Sequence, residues 1–239
     1  MPLEYAFSTD ADTSKQPWVW FPGWGFEAEV FAGLAHTLAG KHYWYRWSEH
    51  DHFDDAVSDV VDEIPTNAIL VGWSLGGALA EAIAQQCGHI KGLVTLATAP
   101  KFCRAKQWPY GMPAQRFEGF INNLATDPEK TMLRFLALNA QGTESPKSII
   151  RLLSHHQLQH SGALAKQLKW LDQYDFTRSA KAPCQCLHLF AEHDALVAPP
   201  HSNGQGRYEL IPGTCHALFI QQPELIRSQL ISLCDEYAA

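Results

Sequence analysis

Gly72-Trp73-Ser74-Leu75-Gly76 sets a serine between two glycines in the G-x-S-x-G spacing of a nucleophile elbow. The glycines have a physical task. The turn from strand to helix is so tight that flanking side chains would collide, and the serine sits strained at its apex. There the hydroxyl projects from the sheet, and the N-terminus of the following helix favours developing negative charge. The surroundings fit: Ala68-Ile69-Leu70-Val71 reads as a strand, and Gly77-Ala78-Leu79-Ala80 opens a helix.

A serine hydroxyl is a weak nucleophile at neutral pH and needs a base to take its proton. Twelve histidines offer choices, so position must decide. His216 follows the strand pattern Tyr208 to Ile211 through the loop Pro212-Gly213-Thr214-Cys215, at the C-terminal end of a late strand. Asp194 follows Cys186 to Phe190 through Ala191-Glu192-His193, at the equivalent edge, with Glu192 as the rival acid. The order Ser74, Asp194, His216 is that of α/β-hydrolases, in which the acid holds the imidazole tautomer and stabilises the imidazolium. Tetrahedral intermediates also need two donors aimed at the oxyanion. The backbone N–H of Leu75 is one candidate. The other is Trp24 N–H, in the glycine-containing loop Phe21-Pro22-Gly23-Trp24-Gly25.

Other groupings carry less chemistry. His155-His156 with His160 has no nearby acid ligand or partner cysteine, and Cys184-x-Cys186 lacks a second pair, so no metal site is expected. His50-Asp51-His52 reads as a polar loop. No phosphate-binding glycine loop is present, and acyl transfer at Ser74 calls for no cofactor.

These groups must be positioned by a scaffold. Strand patterns at Trp18–Phe21, Tyr43–Trp47, Ala68–Val71, Leu93–Ala97, Cys186–Phe190 and Tyr208–Ile211 alternate with helical patterns at Glu29–Leu38, Phe53–Ile64, Gly77–Gln86 and Pro223–Tyr237. Such alternation predicts an α/β fold, a mainly parallel sheet with helices on both faces. From Lys101 to about Asp175 the pattern is helical without a convincing strand. Residues 1–100 and 176–239 therefore read as the hydrolase core and 101–175 as an inserted helical cap. Six cysteines without a regular framework suit a reduced, cytoplasmic protein, and the first sixteen residues lack the apolar run of a signal peptide. No stretch is long and apolar enough to cross a bilayer. A net charge of −7 argues against nucleic-acid binding. It hides an asymmetry, because Lys101 to Trp170 holds ten basic and four acidic residues. That segment stands at +6 and the rest at −13, which makes it a candidate docking surface for an anionic partner. A monomer is expected.

At this level of detail the chain resembles the pimeloyl-[acyl-carrier protein] methyl ester esterases of biotin synthesis. The likeness rests on Phe21-Pro22-Gly23-Trp24-Gly25-Phe26-Glu27-Ala28-Glu29-Val30, on Leu70-Val71-Gly72-Trp73-Ser74-Leu75-Gly76-Gly77, on Arg134-Phe135-Leu136-Ala137-Leu138 with Gly142-Thr143-Glu144, and on His216-Ala217 with Pro223. The resemblance implies hydrolysis of a carrier-bound methyl ester to methanol and a free carboxylate. It also implies a cap that grips the acidic acyl carrier protein through Lys130 and Arg134, then Lys147 and Arg151, and contact of Phe135 with the acyl chain. Each cation pair is spaced i, i+4, which places two like charges on one helical face. The family's usual histidine before the oxyanion-loop glycine is replaced by Pro22, the stretch from Tyr43 to Asp54 is short, and an Asp-x-Pro-Gly loop after the third core strand is missing. A general short-chain carboxylesterase, an acyl-carrier thioesterase and a noncatalytic binding protein on the same scaffold are the competing readings.

Overall fold

A computed structural model describes residues 1–9, 16–158, 162–179, 182–198 and 207–235. Seven strands form one sheet: β1 (Leu3–Ser8), β2 (Pro17–Phe21), β3 (Lys41–Tyr45), β4 (Ile69–Trp73), β5 (Gly92–Leu96), β6 (Gln185–Ala191) and β7 (Arg207–Ile211), in the order β1-β3-β2-β4-β5-β6-β7. All neighbours run parallel except β1, which lies antiparallel on β3. Every residue of β4 and β5 is buried, as expected of central parallel strands covered on both faces. Trp73 pairs with Leu96, Leu96 with Leu189, and Ala191 with Ile211. The C-terminal ends of β4 to β7 therefore share one edge.

Five described helices pack on the core: α1 (Ala32–Ala35), α2 (Phe53–Val61), α3 (Leu75–Gln86) and, after an insertion, a C-terminal pair described below. In α2 the buried side is Phe53, Ala56, Val57 and Val60, while Asp54 and Asp55 occupy the first turn, where carboxylates complement the helix dipole. Between β5 and β6 the chain forms α4 (Ala114–Thr126), α5 (Pro128–Asn139), α6 (Pro146–Ser154) and α7 (Gly162–Gln173). Asp127 ends α4 and caps α5, its carboxylate accepting the Lys130 N–H at 3.2 Å, and Pro128 takes the first helical position. The C-terminal pair is α8 (Leu218–Gln221) and α9 (Pro223–Asp235).

Some boundaries differ from the sequence reading. The helical pattern over Glu29–Leu38 yields a 3-10 turn, Ala28–Phe31, and the single turn of α1. α2 stops at Val61, leaving Ile64 buried beyond its end, and β3 begins two residues earlier than expected. Tyr237 lies outside the described residues. The missed elements are the single turn Leu218–Gln221 and β1, an edge strand with one buried residue, Leu3. Its half-exposed pattern gives little periodic signal.

α7 is tied down where the chain is short. Gln167 and Gln173 donate to the carbonyls of Ser48 and Asp51 at 3.1 and 3.2 Å, and the Gln173 carbonyl accepts the Phe53 N–H at 2.7 Å. The stretch between β3 and α2 thus serves as a platform for the insertion.

Candidate active site

Ser74 joins β4 to α3 with φ 55° and ψ −121°, outside the regions an ordinary side chain prefers. Such a conformation costs about 1–3 kcal/mol and persists only where its surroundings enforce it. Here the glycines enforce it. A Cβ on Gly72 would sit 2.5 Å from the Gly76 carbonyl oxygen, and one on Gly76 would sit 2.2 Å from the carbonyl oxygens of Phe21 and Pro22. The apex is also pinned by hydrogen bonds, from Ser74 N–H to the Leu96 carbonyl at 2.9 Å and from the Thr98 hydroxyl to the Ser74 carbonyl at 3.0 Å.

The loops after β6 and β7 meet beside this elbow. His216 Nδ1 lies 2.7 Å from Asp194 Oδ2, and both side chains are only 1% exposed. The other Asp194 oxygen accepts the N–H groups of Leu196 and Val197 at 2.8 and 2.9 Å, which fixes the carboxylate's orientation. Glu192 is engaged elsewhere: it faces solvent and accepts the Gly213 N–H at 2.8 Å. His193 is half exposed. His216 Nε2 is buried without a protein partner. That nitrogen can act as the base once Ser74 Oγ comes within reach. Trp73 ties His216 to the elbow: its indole N–H donates to the His216 carbonyl at 2.9 Å and its ring lies 5.6 Å from the imidazole.

Leu75 is the first residue of α3, so its N–H has no carbonyl one turn earlier in the helix. The loop carrying Trp24 lies against this helix start, as the clash of a Gly76 Cβ with Phe21 and Pro22 requires. This loop is stapled to the insertion. The Trp24 indole donates to the Leu164 carbonyl at 2.9 Å, Leu158 N–H to Gly25 O at 2.9 Å, and Glu27 N–H to His156 O at 2.8 Å. The Trp24 ring packs edge-on against Phe135 with centroids 4.9 Å apart. Of the histidines weighed for metal binding, His156 therefore contributes backbone to this staple, and His160 lies outside the described residues.

Ser74, Trp24 and Phe135 open onto one cavity of about 370 Å³, roofed by α4, α5 and α7 and walled otherwise by Phe, Leu and Met side chains. The end of α5 is locked to the loops that carry His216 and Asp194. Ala217 N–H reaches the Asn139 carbonyl at 3.4 Å, and a Cβ on Gly142 (φ +94°) would lie 2.4 Å from His193 Cβ. Lys130, Arg134, Lys147 and Arg151 all face solvent, and none makes a side-chain ion pair with a described residue. They stand apart from the cavity lining. Among the described residues no three His, Cys, Asp or Glu side chains gather as a metal site. His50 pairs with Asp59 at 3.0 Å, and the buried Cys184 and Cys186 sulfurs lie 4.0 Å apart. No described helix is long and apolar enough to cross a membrane.

Two contributors to the site were not found by sequence reasoning. Trp73 was noted only for its place before the serine, and Asn139 was not singled out. The chain distances that their contacts bridge, 143 residues for Trp73 to His216, leave no local signal.

A model of the alpha/beta hydrolase family matches residues 18–229. The pimeloyl-[acyl-carrier protein] methyl ester esterase of Sodalis glossinidius is 32% identical over 160 residues, which cover 62% of this chain and 62% of that protein. The chain thus spans less than two thirds of that relative's length. The esterase of the same name from Yersinia enterocolitica is 33% identical over 189 residues, covering 72% of this chain and 70% of that protein. Among solved structures, the enol-lactonase of Burkholderia xenovorans superposes with a TM-score of 0.80 at 13% identity, covering 98% of this chain and 96% of that one, a likeness of fold.

Proposed function

The chain belongs to the alpha/beta hydrolase family and, within it, to the pimeloyl-[acyl-carrier protein] methyl ester esterases, and on that premise we propose that it is a serine carboxylesterase. Its substrate is the methyl ester of a pimeloyl chain held on acyl carrier protein, and its products are methanol and the free carboxylate needed for biotin synthesis. The observation that carries this reading is the buried His216–Asp194 pair beside a strained serine that opens onto an apolar cavity.

In the first step His216 Nε2 takes the Ser74 proton as Oγ attacks the ester carbonyl. Asp194 holds the Nδ1–H and stabilises the imidazolium. The N–H groups of Leu75 and Trp24 receive the oxyanion, an interaction worth about 3–4 kcal/mol per donor in the transition state. Methanol departs with the proton from His216, and water then cleaves the acyl-enzyme by the same relay. The α4–α7 insertion acts as a cap over the cavity. Its outward cations Lys130, Arg134, Lys147 and Arg151 receive the acidic carrier protein, while Phe135 lies along the acyl chain. A monomeric, cytoplasmic enzyme without a cofactor is the corresponding expectation.

The test is rescue of a biotin-requiring strain that lacks its own methyl ester esterase, paired with hydrolysis of carrier-bound methyl ester in vitro. Rescue by the wild-type chain and not by Ser74→Ala supports the reading. Hydrolysis of free esters with no turnover of the carrier-bound ester would replace it with a general carboxylesterase, and preferential cleavage of the thioester with a thioesterase.

A further inference from the structure

Helix α4 borders the cavity with the buried Phe117 and with Arg116, Gly119, Phe120 and Asn123, the last four forming a stripe at i, i+3, i+4 and i+7. Arg116 and Asn123 are exposed, whereas Gly119 and Phe120 are half-buried. A Cβ built on Gly119 meets no heavy atom within 4 Å. No neighbour requires a glycine there, although glycine in a helix interior costs about 1 kcal/mol relative to alanine. The missing side chain leaves a notch in the helix where the cavity meets solvent, with Arg116 one turn before it and Asn123 one turn after.

Arg116 makes no side-chain hydrogen bond or ion pair with a described residue. The positions one turn away on its face, Met112, Pro113, Gly119 and Phe120, include no acid. The Trp24 indole is already committed to Leu164. Apart from Ser74, the free polar side chains lining the cavity are therefore Arg116 and Asn123. A guanidinium keeps its charge at any working pH and offers a planar fork that matches a carboxylate or phosphate.

We propose that Arg116, assisted by Asn123, is a specificity residue that binds an anionic oxygen group at the end of the acyl chain remote from Ser74. This inference rests on the esterase reading of the site. It is distinct from the four outward cations on α5 and α6, which do not line the cavity. Two sources supply such an anion: the free carboxylate of a dicarboxylic acid half-ester, and the phosphate of the prosthetic arm that tethers an acyl chain to a carrier. With the first source the chain hydrolyses free half-esters without any carrier. Ser74 Oγ forms the acyl bond, the methoxy group leaves as methanol with the proton from His216, and water releases the dicarboxylate.

Four substrates separate the possibilities in the full chain: monomethyl pimelate, dimethyl pimelate, and methyl pimeloyl thioesters of pantetheine and of 4′-phosphopantetheine. The quantity read is the ratio of kcat/KM for each charged substrate to its neutral partner. In Arg116→Met one of these ratios falls about tenfold, mainly through KM, as expected for loss of a charge-assisted hydrogen bond near the surface. Arg116→Lys retains most of it. The ratio that falls identifies the source of the anion. Two unchanged ratios, or an equal loss on all four substrates, would overturn the inference. A wild-type chain that hydrolyses none of the four would overturn the esterase reading beneath it.

Discussion

Replacing Trp24 with phenylalanine tests whether the insertion holds the oxyanion loop in place. The indole N–H donates to Leu164 O at 2.9 Å between two residues that are each 2% exposed. Phenylalanine keeps an aromatic ring against Phe135 and Phe120 but strands the Leu164 carbonyl without its partner. An unsatisfied buried acceptor costs about 1–3 kcal/mol, and the lost ring volume adds about 1 kcal/mol. For a chain of this length the sum lowers Tm by about 5–10 °C, measurable by calorimetry. The catalytic consequence is separate. Full removal of one oxyanion donor slows kcat by about 10²–10³. A loop that keeps its other two staples, from Leu158 and Glu27, loses only part of this, so kcat should fall about tenfold. KM should change little, because the oxyanion exists only in the transition state. Methyl ester kinetics at saturating substrate provide the assay. A variant with the lower Tm and wild-type kcat would refute the reasoning, since the staple would then stabilise the fold without placing the donor.

Asp194→Asn should lower kcat by about 10⁴ with a small change in KM, measured on the same ester, because the imidazole loses the carboxylate that sets its tautomer. Burial pushes the Glu81 carboxyl up to about 7 from an ordinary value of 4.5. The folded state then holds this proton more tightly than the unfolded chain, and stability falls as pH rises from about 4.5 to 7. Glu81→Gln should therefore be more stable than wild type at pH 8, by at most about 3 kcal/mol and less to the extent that this half-buried side chain keeps water. The advantage should vanish below pH 4.5, as denaturant melts at both pH values would register. Gly76→Ala should fail to fold or lose more than about 3 kcal/mol, because its Cβ meets two backbone carbonyls that cannot move aside. By contrast, Gly119→Ala should gain about 0.5–1 kcal/mol in urea unfolding.

What could be read from sequence was local or periodic. The elbow is legible because five consecutive residues carry both the chemistry and the steric demand for glycine. The β4 and β5 runs are legible because strands buried on both faces are continuously apolar. Asp194 and His216 could be placed by their loops, since a parallel sheet delivers its C-terminal strand ends to one edge. Chain order and loop position favour Asp194 with Glu192 as its rival, and the coordinates add the reason: Asp194 reaches His216 and is oriented by two backbone N–H groups, whereas Glu192 turns outward to Gly213. β1 was hidden by its edge position, and the pattern around α1 promised a longer helix than its 3-10 entry allows. The clamp between Trp73 and His216 and the notch at Gly119 depend on contacts or gaps that no periodicity encodes.

Reaction with a fluorophosphonate, followed by peptide mass spectrometry, addresses the catalytic core most directly. The label is expected on Ser74 alone, in stoichiometric amount, with its rate of attachment reduced by orders of magnitude in His216→Ala. Attachment at another side chain, or an unaltered rate without the imidazole, would contradict a nucleophile at the elbow served by the histidine after β7.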